Sequence, residues 1–371
     1  MVYVASYEIG ERQVISREEF QHKLDRLKQA LSSSGHEAIV LRQHANVSWL
    51  TGIRTHVSFG AESSIVTIVV TPTVVHAIAG SNEARRLREE EAPNLDLNWL
   101  EFPWSRPGDR ESLIAQVGSD DTTDEQTTAP LLLALRTQLC VEELDRMDML
   151  GWDATHVTES VARSITPGTT EYEVAGHLAQ QLLAIGIEPM VLLVAADDRT
   201  MLRPHPLPTH LPIWRLAMIA VCVRRGGLYV SLTRYITFCP LSDTETATYQ
   251  DVSELFTLLQ RESRPGVRLR ELWKRLTEAY TARDMPHGWE RHHQGGISGY
   301  APREVLLAPD ASHTACLNSV VAYNPSHGLW KSEDTGIITA TGVKLITQSQ
   351  TWPTVRTADG FDRPGVLVLD A

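Results

Sequence analysis

The sequence predicts an α+β fold built of two domains, a small α/β domain over residues 1–130 and a larger α+β domain over residues 131–371. Three observations carry this expectation. A chain of 371 residues exceeds one ordinary core, because about 150 residues per domain is the usual scale. The stretch Ser119 to Pro130, SDDTTDEQTTAP, is polar and acidic with no apolar period, as a linker or an exposed edge loop would be, and it sets the boundary. Beyond it, long helical patterns accompany strand pairs of antiparallel style rather than alternating βαβ units.

Taken in order, Ser16 with Glu19 has the spacing of a helix capping box, and Phe20, Leu24, Leu27 and Leu31 then recur at helical intervals up to Gly35. HEAIVL, SSIVTIVVTP and VVHAIAG read as strands. Past the boundary, Leu144, Met147, Ala154, Val157 and Val161 share a helical face closed by Pro167-Gly168, and Thr170 with Glu173 caps a second helix that ends at Gly186. MVLLVAA, RLAMIAVCV and GLYVSLTRYITF are the next strands. Helices follow over 246–261 and 267–282, then late strands at SVVAYNP, GIITAT and VKLIT.

Composition narrows the function classes. Thirty-four basic against 46 acidic side chains leave a net charge of −12, which argues against a nucleic-acid or anionic-membrane partner. Cys140, Cys222, Cys239 and Cys316 form no CxxC pair, so neither a thiolate zinc site nor a disulfide framework is indicated. No apolar run reaches the roughly 18 residues of a membrane span, and MVYVASYEIGERQ has no basic-then-apolar leader, so a cytoplasmic location is expected.

Several segments, in order, resemble the pita-bread family of creatinase, aminopeptidase P and prolidase. Asn46-Val47-Ser48-Trp49-Leu50-Thr51-Gly52 is similar to the family's N-V-x-Y-L-T-G strand and turn. Ile165-Thr166-Pro167-Gly168-Thr169-Thr170-Glu171 is similar to its I-x-P-G-x-T-E joint between helices. RPHPLP, Gly226-Gly227 and Ser231-Leu232-Thr233-Arg234 follow, and then HHQGGISGY, YNPSHG and KSEDTGIIT. The resemblance implies a small creatinase-like N-terminal domain, a C-terminal pita-bread catalytic domain, and a homodimer whose N-terminal domain reaches the partner's pocket.

In the family's metallopeptidases two Asp, one His and two Glu hold two divalent metals that activate a bridging water. Carried over by spacing, those positions are Ala220, Ser231, His293, Asn324 and Glu333, so two of five ligands remain. The eleven-residue interval between Ala220 and Ser231 is intact. No metal and no cofactor is therefore expected. Creatinase hydrolyses a carbon–nitrogen bond without metal through a histidine whose position matches His205, in a Pro-His-Pro turn.

The expected catalytic residues are His205, His293 and Glu333, the carboxylate orienting an imidazole. The expected substrate-binding residues are His292, Tyr300, Arg303, Asn324 and Lys331, with Arg303 offering a planar fork to a substrate carboxylate. Where creatinase-like members carry a carboxylate in an E-P turn, this chain has Asn324-Pro325, which argues against creatine itself. The resulting reading is a metal-independent hydrolase or lyase acting on a small polar, nitrogenous, carboxylate-bearing metabolite, with ectoine hydrolase-like and creatinase-like reactions as the nearest analogies. A metal-dependent Xaa-Pro peptidase and a non-catalytic pita-bread binding module are the alternatives.

Overall fold

The computed structural model describes residues 15–61, 63–328 and 330–370. They divide into two compact units, one running to Arg136 together with Gly226–Leu228, the other covering Thr137–Arg225 and Tyr229 onward.

In the first unit the helix Arg17–Ser33 starts at Ser16, whose hydroxyl accepts the Glu19 N–H at 3.0 Å, satisfying one of the donors a helix start leaves over. Phe20, Leu24, Leu27 and Leu31 are buried along its inner face. The strands Ala38–Gln43, Ser63–Val70 and Val75–Gly80 run antiparallel in sequence. Asn98–Phe102 adds in parallel beside Val75–Gly80, and Thr122–Asp124 adds in parallel beside Ala38–Gln43.

Two segments of this unit differ from the sequence reading. Asn46–Gly52 is not a strand and turn but the helix His44–Thr51, stopped by Gly52 at φ 68°, whose N–H bonds the Ser48 carbonyl at 2.8 Å. Asn46 to Thr51 are all buried, and a run buried on every side carries no period that separates helix from strand. Within Ser119–Pro130, Thr122–Asp124 is a paired edge strand. Asp124 Oδ1 then accepts the Gln126 and Thr127 N–H groups at 2.9 and 2.8 Å, turning the chain into the helix Ala129–Arg136. Three paired residues are too few to display an alternation.

The second unit opens with helices Val141–Arg163 and Glu171–Ala184. The latter begins at a full Thr170/Glu173 capping box. A four-stranded sheet follows, in the order Val366–Val368, Leu228–Thr237, Leu216–Arg225, Glu188–Ala196. Helices Asp243–Glu262 and Leu269–Thr281 pack Leu255, Phe256, Leu272, Leu276 and Tyr280 against Ile297, Val321 and Ile338. Those last residues belong to a five-stranded sheet ordered Val305–Leu306, Gly295–Ser298, Val320–Tyr323, Asp334–Thr339, Gly342–Leu345. Among the described residues no helix is long and apolar enough to cross a membrane.

Candidate active site

Strands Leu216–Arg225 and Leu228–Thr237 are joined by Gly226-Gly227 at φ 57° and 81°, the two consecutive left-handed residues that a tight hairpin turn requires. Side chains two apart on a strand share a face, so the hairpin offers Ala220 with Cys222 and Ser231 with Thr233. Ala220 packs among Leu193, Ala195 and Tyr235. Ser231 is in hydrogen-bond contact with Cys222, whose thiol is pushed up by burial.

Thr233 donates its hydroxyl to Glu333 Oε2 at 2.7 Å. The same oxygen lies 3.3 Å from Lys331 Nζ, while Glu333 Oε1 is 3.4 Å from both Arg303 Nη2 and Asn324 Nδ2. Burial alone would raise the Glu333 pKa, but Lys331 and then Arg303, helped by the Thr233 hydroxyl, hold it down at about 2. Two cations against one carboxylate leave the cluster with one positive charge in excess. Arg303 Nε and Asn324 Oδ1 are buried with no hydrogen-bond partner.

Three imidazoles converge beside this cluster. Pro204 and Pro206 flank His205 and restrict its backbone. His292 and His293 follow the short helical turn Gly288–Arg291. His292 Nε2 lies 3.0 Å from His205 Nε2, and the His292 and His293 rings stack at 4.4 Å between centroids. His292 Nδ1 is 2.5 Å from the His293 carbonyl oxygen, which can only accept, so Nδ1 carries the proton. In a neutral His292 ring Nε2 is then an acceptor, His205 Nε2–H must be the donor, and His205 Nδ1 is left with the free lone pair. Neutrality is enforced by the surroundings. Burial first, then Lys331, pushes His292 down to about 3, and burial first, then Arg303, pushes His293 down to about 4. His205 is lowered by the same causes, burial and then Lys331.

Gly295-Gly296 follows this trio because the sheet requires it. A Cβ on Gly295 would stand 2.1 Å from the Ala322 carbonyl oxygen and one on Gly296 2.0 Å from that of Val305. The close approach that the pair of glycines signals is to neighbouring strands, and it fixes where His293 stands.

Of the expected residues the structure gathers His205, His292 and His293 in one group and Glu333, Lys331, Arg303 and Asn324 in another, coupled through the charges of Lys331 and Arg303. Tyr300 is placed elsewhere: it is buried, with its hydroxyl donating to Glu143 at 2.7 Å. Arg303 and Lys331 are committed to Glu333 rather than left free for a substrate carboxylate. Sequence reasoning missed Thr233, which strand alternation from Ser231 could have supplied. It also missed Arg203, Arg291 and His327, which line a small chamber against His292 and Lys331. Their only signal is that Arg203 and His327 stand inside the quoted segments RPHPLP and YNPSHG and that Arg291 directly precedes HHQGGISGY. A larger hollow of about 460 Å³ lies against the helix joint at Ile165–Thr169, and none of the gathered residues lines it.

The paired metals implied by the resemblance do not fit these side chains. Ala220 and Ser231 offer no carboxylate, Asn324 offers an amide, and the one remaining carboxylate already has two cationic neighbours within 3.4 Å. The ligand nitrogens of the histidine trio lie within 4.8 Å of one another, a set that suits one nitrogen-seeking ion such as zinc but not a pair of hard cations.

No family profile matches the sequence, and no curated protein matches it. The class this fold defines is the pita-bread architecture of prolidase, Xaa-Pro dipeptidase and aminopeptidase P structures, an α+β arrangement of helices and several sheets. Dipeptidase PepE from Mycobacterium ulcerans superposes with a TM-score of 0.77, covering 96% of this chain and 100% of its own at 16% identity. The prolidase from Pyrococcus horikoshii gives 0.74, with 89% and 99% covered at 16% identity. The N-terminal domain of a FACT complex subunit from Cicer arietinum gives 0.69, with 90% and 97% covered at 12% identity. At these identities the likeness is one of fold.

Proposed function

We propose that the chain is a hydrolase of the pita-bread type that breaks a carbon–nitrogen bond in a small polar, nitrogenous, carboxylate-bearing metabolite without the paired metals. His205 is the group that takes and returns the proton. The observation that supports this most is the hydrogen-bonded order of the imidazoles. His292 is anchored on the His293 carbonyl and accepts from His205 Nε2, which turns His205 Nδ1 into an oriented base. In the hydrolytic step His205 Nδ1 removes a proton from water, the hydroxyl oxygen bonds to the substrate carbon, the C–N bond breaks, and His205 returns the proton to the departing nitrogen. In a lyase variant no water adds: His205 would take a proton from the carbon next to the C–N bond, the electron pair left behind would form a carbon–carbon double bond as the C–N bond breaks, and the proton would go to the departing nitrogen. The positive excess around Glu333 suits an anionic transition state.

The test begins with a metabolite screen in EDTA-treated buffer, followed by His205→Ala on the substrate found. General acid–base catalysis is worth about a hundredfold to ten-thousandfold, and the variant should lose that much in the chemical step while keeping its fold. Turnover at the wild-type rate in His205→Ala would end this reading.

The structural neighbours favour a second reading, a metal-dependent Xaa-Pro peptidase, since several of them are prolidases or Xaa-Pro peptidases by name. Hydrolysis of Xaa-Pro dipeptides that appears on adding Mn²⁺ or Co²⁺ and vanishes with EDTA would establish it in place of the first. The likeness to a FACT subunit domain keeps a binding module as a third reading, which predicts no small-molecule ligand at all. The same proposal includes a cytoplasmic homodimer whose N-terminal domain contributes to the partner's pocket. Light scattering at micromolar concentration should return twice the chain mass, and a monomer would count against it.

A further inference from the structure

Beside the histidine trio lies a chamber of about 40 Å³, lined by Arg203, Pro204, Arg291, His292, His327 and Lys331 among others, and by no Asp or Glu among the described residues. That volume exceeds the roughly 10–15 Å³ needed for one water and matches a few atoms of ligand. Lys331 is shared with Glu333. Arg203 and Arg291 are not shared: each gives one N–H to a backbone carbonyl, of Leu202 at 3.0 Å and Met201 at 3.3 Å, and among the described residues neither meets a carboxylate. His327 also lines the chamber, and its Nδ1 is buried without a hydrogen-bond partner.

On a protein with 46 acidic side chains, two guanidinium groups on one wall that meet no carboxylate among the described residues are a specific arrangement. The field it creates is visible in its neighbours. After burial, the Arg291 charge is the next cause lowering His327, with Asp251 opposing, and Lys331 is the next cause lowering both His292 and His205. Asp251 itself is 3.6 Å from Arg283.

We infer that this chamber is the seat of a small oxyanion at one end of the substrate, gripped by the guanidinium groups of Arg203 and Arg291 with His327 as a further donor. It abuts the reacting region through Pro204, the residue before His205, and through His292, whose Nε2 is 3.0 Å from that of His205. A bound anion would thus sit one imidazole away from the proposed base. This assigns the substrate's charged end to residues other than Arg303, which is held by Glu333. It rests on the reading of His205 as the base only for the word substrate. The anion site stands or falls on binding alone.

The probes are sodium acetate and inorganic phosphate, titrated into the full chain at constant ionic strength. The readout is the imidazole NMR resonances of His292 and His327, with a thermal shift in parallel. Saturable movement of these resonances is expected. Acetate alone would mark a carboxylate seat, and phosphate alone a phosphoryl seat. Arg203→Gln and Arg291→Gln should each weaken binding about tenfold, as expected for loss of a charge-assisted contact, and Arg291→Lys should recover some of the loss. Arg270→Gln, an exposed arginine on another helix, should change nothing. Absence of saturation with both anions, or equal weakening in Arg270→Gln, overturns the inference. If the anion binds but His205→Ala keeps full turnover, the catalytic reading fails and the site remains. If His205→Ala loses turnover and neither anion saturates, the converse holds.

Discussion

The residue that most shapes the site is His292, because one neutral ring both accepts from His205 and stacks on His293. Its neutrality has a stability consequence. The folded ring protonates at about 3 and a free one at 6.5, so between those values the unfolded chain binds more protons. Stability from this group is therefore complete above pH 6.5 and is lost as pH falls toward 3. From pH 7.5 to 5 the loss is about 2 kcal/mol, the slope reaching about 1.36 kcal/mol per pH unit only below 6.5. Glu333 acts in the same direction lower down: its folded value is about 2 against 4.5, so its contribution is complete above 4.5 and disappears toward 2. Urea denaturation at pH 7.5 and pH 5 should show the first loss, and His292→Gln should reduce the slope, leaving the part that His293 contributes in the same direction. An equal pH slope in that variant would assign the loss to other groups.

At the scale of elements, the five-stranded sheet positions His293 through two glycines. A methyl on Gly296 would stand 2.0 Å from the Val305 carbonyl oxygen and 2.9 Å from the Leu307 nitrogen, so Gly296→Ala must push neighbouring strands apart. The expected loss is about 3 kcal/mol, at the upper end of what overpacking costs, and it should appear as a lower urea midpoint together with a displaced His293 resonance. Retention of wild-type stability would mean the strands separate freely.

Elements with marked ends were legible in the sequence. Ser16/Glu19 and Thr170/Glu173 are local hydrogen-bonding devices that do not depend on the rest of the chain, and both stand where their spacing puts them. The buried helix His44–Thr51 and the edge strand Thr122–Asp124 were not legible, the first for lack of any exposed face and the second for lack of length. Of the site, residue types and their order along the chain were readable. What was not readable is partnership. Nothing in the spacing says that Tyr300 bonds Glu143, or that Arg303 and Lys331 meet on Glu333, because side-chain direction is settled only when distant segments pack.

For the whole molecule, the side chains present do not suit the paired metals that the sequence resemblance implies, and charge is the reason. A two-metal centre needs carboxylates to balance two divalent ions. In this chain the hairpin contributes Ala220 and Ser231, the turn contributes Asn324, and Glu333 is matched by Lys331 at 3.3 Å and Arg303 at 3.4 Å. Bringing two divalent cations to that place would set them against an ammonium and a guanidinium in a largely buried setting, where like charges are weakly screened. The nearby carboxylates offer no relief, since Asp334 is held by Arg234 and Arg363 and Glu159 by Arg234. Elemental analysis of protein purified without chelator should therefore find well under one equivalent of Mn, Co, Fe or Zn. Zinc titration should fill no more than one site, and His292→Gln should abolish it. Two tightly held metals per chain would show that Lys331 and Arg303 leave Glu333 when metal binds, and would restore the peptidase reading.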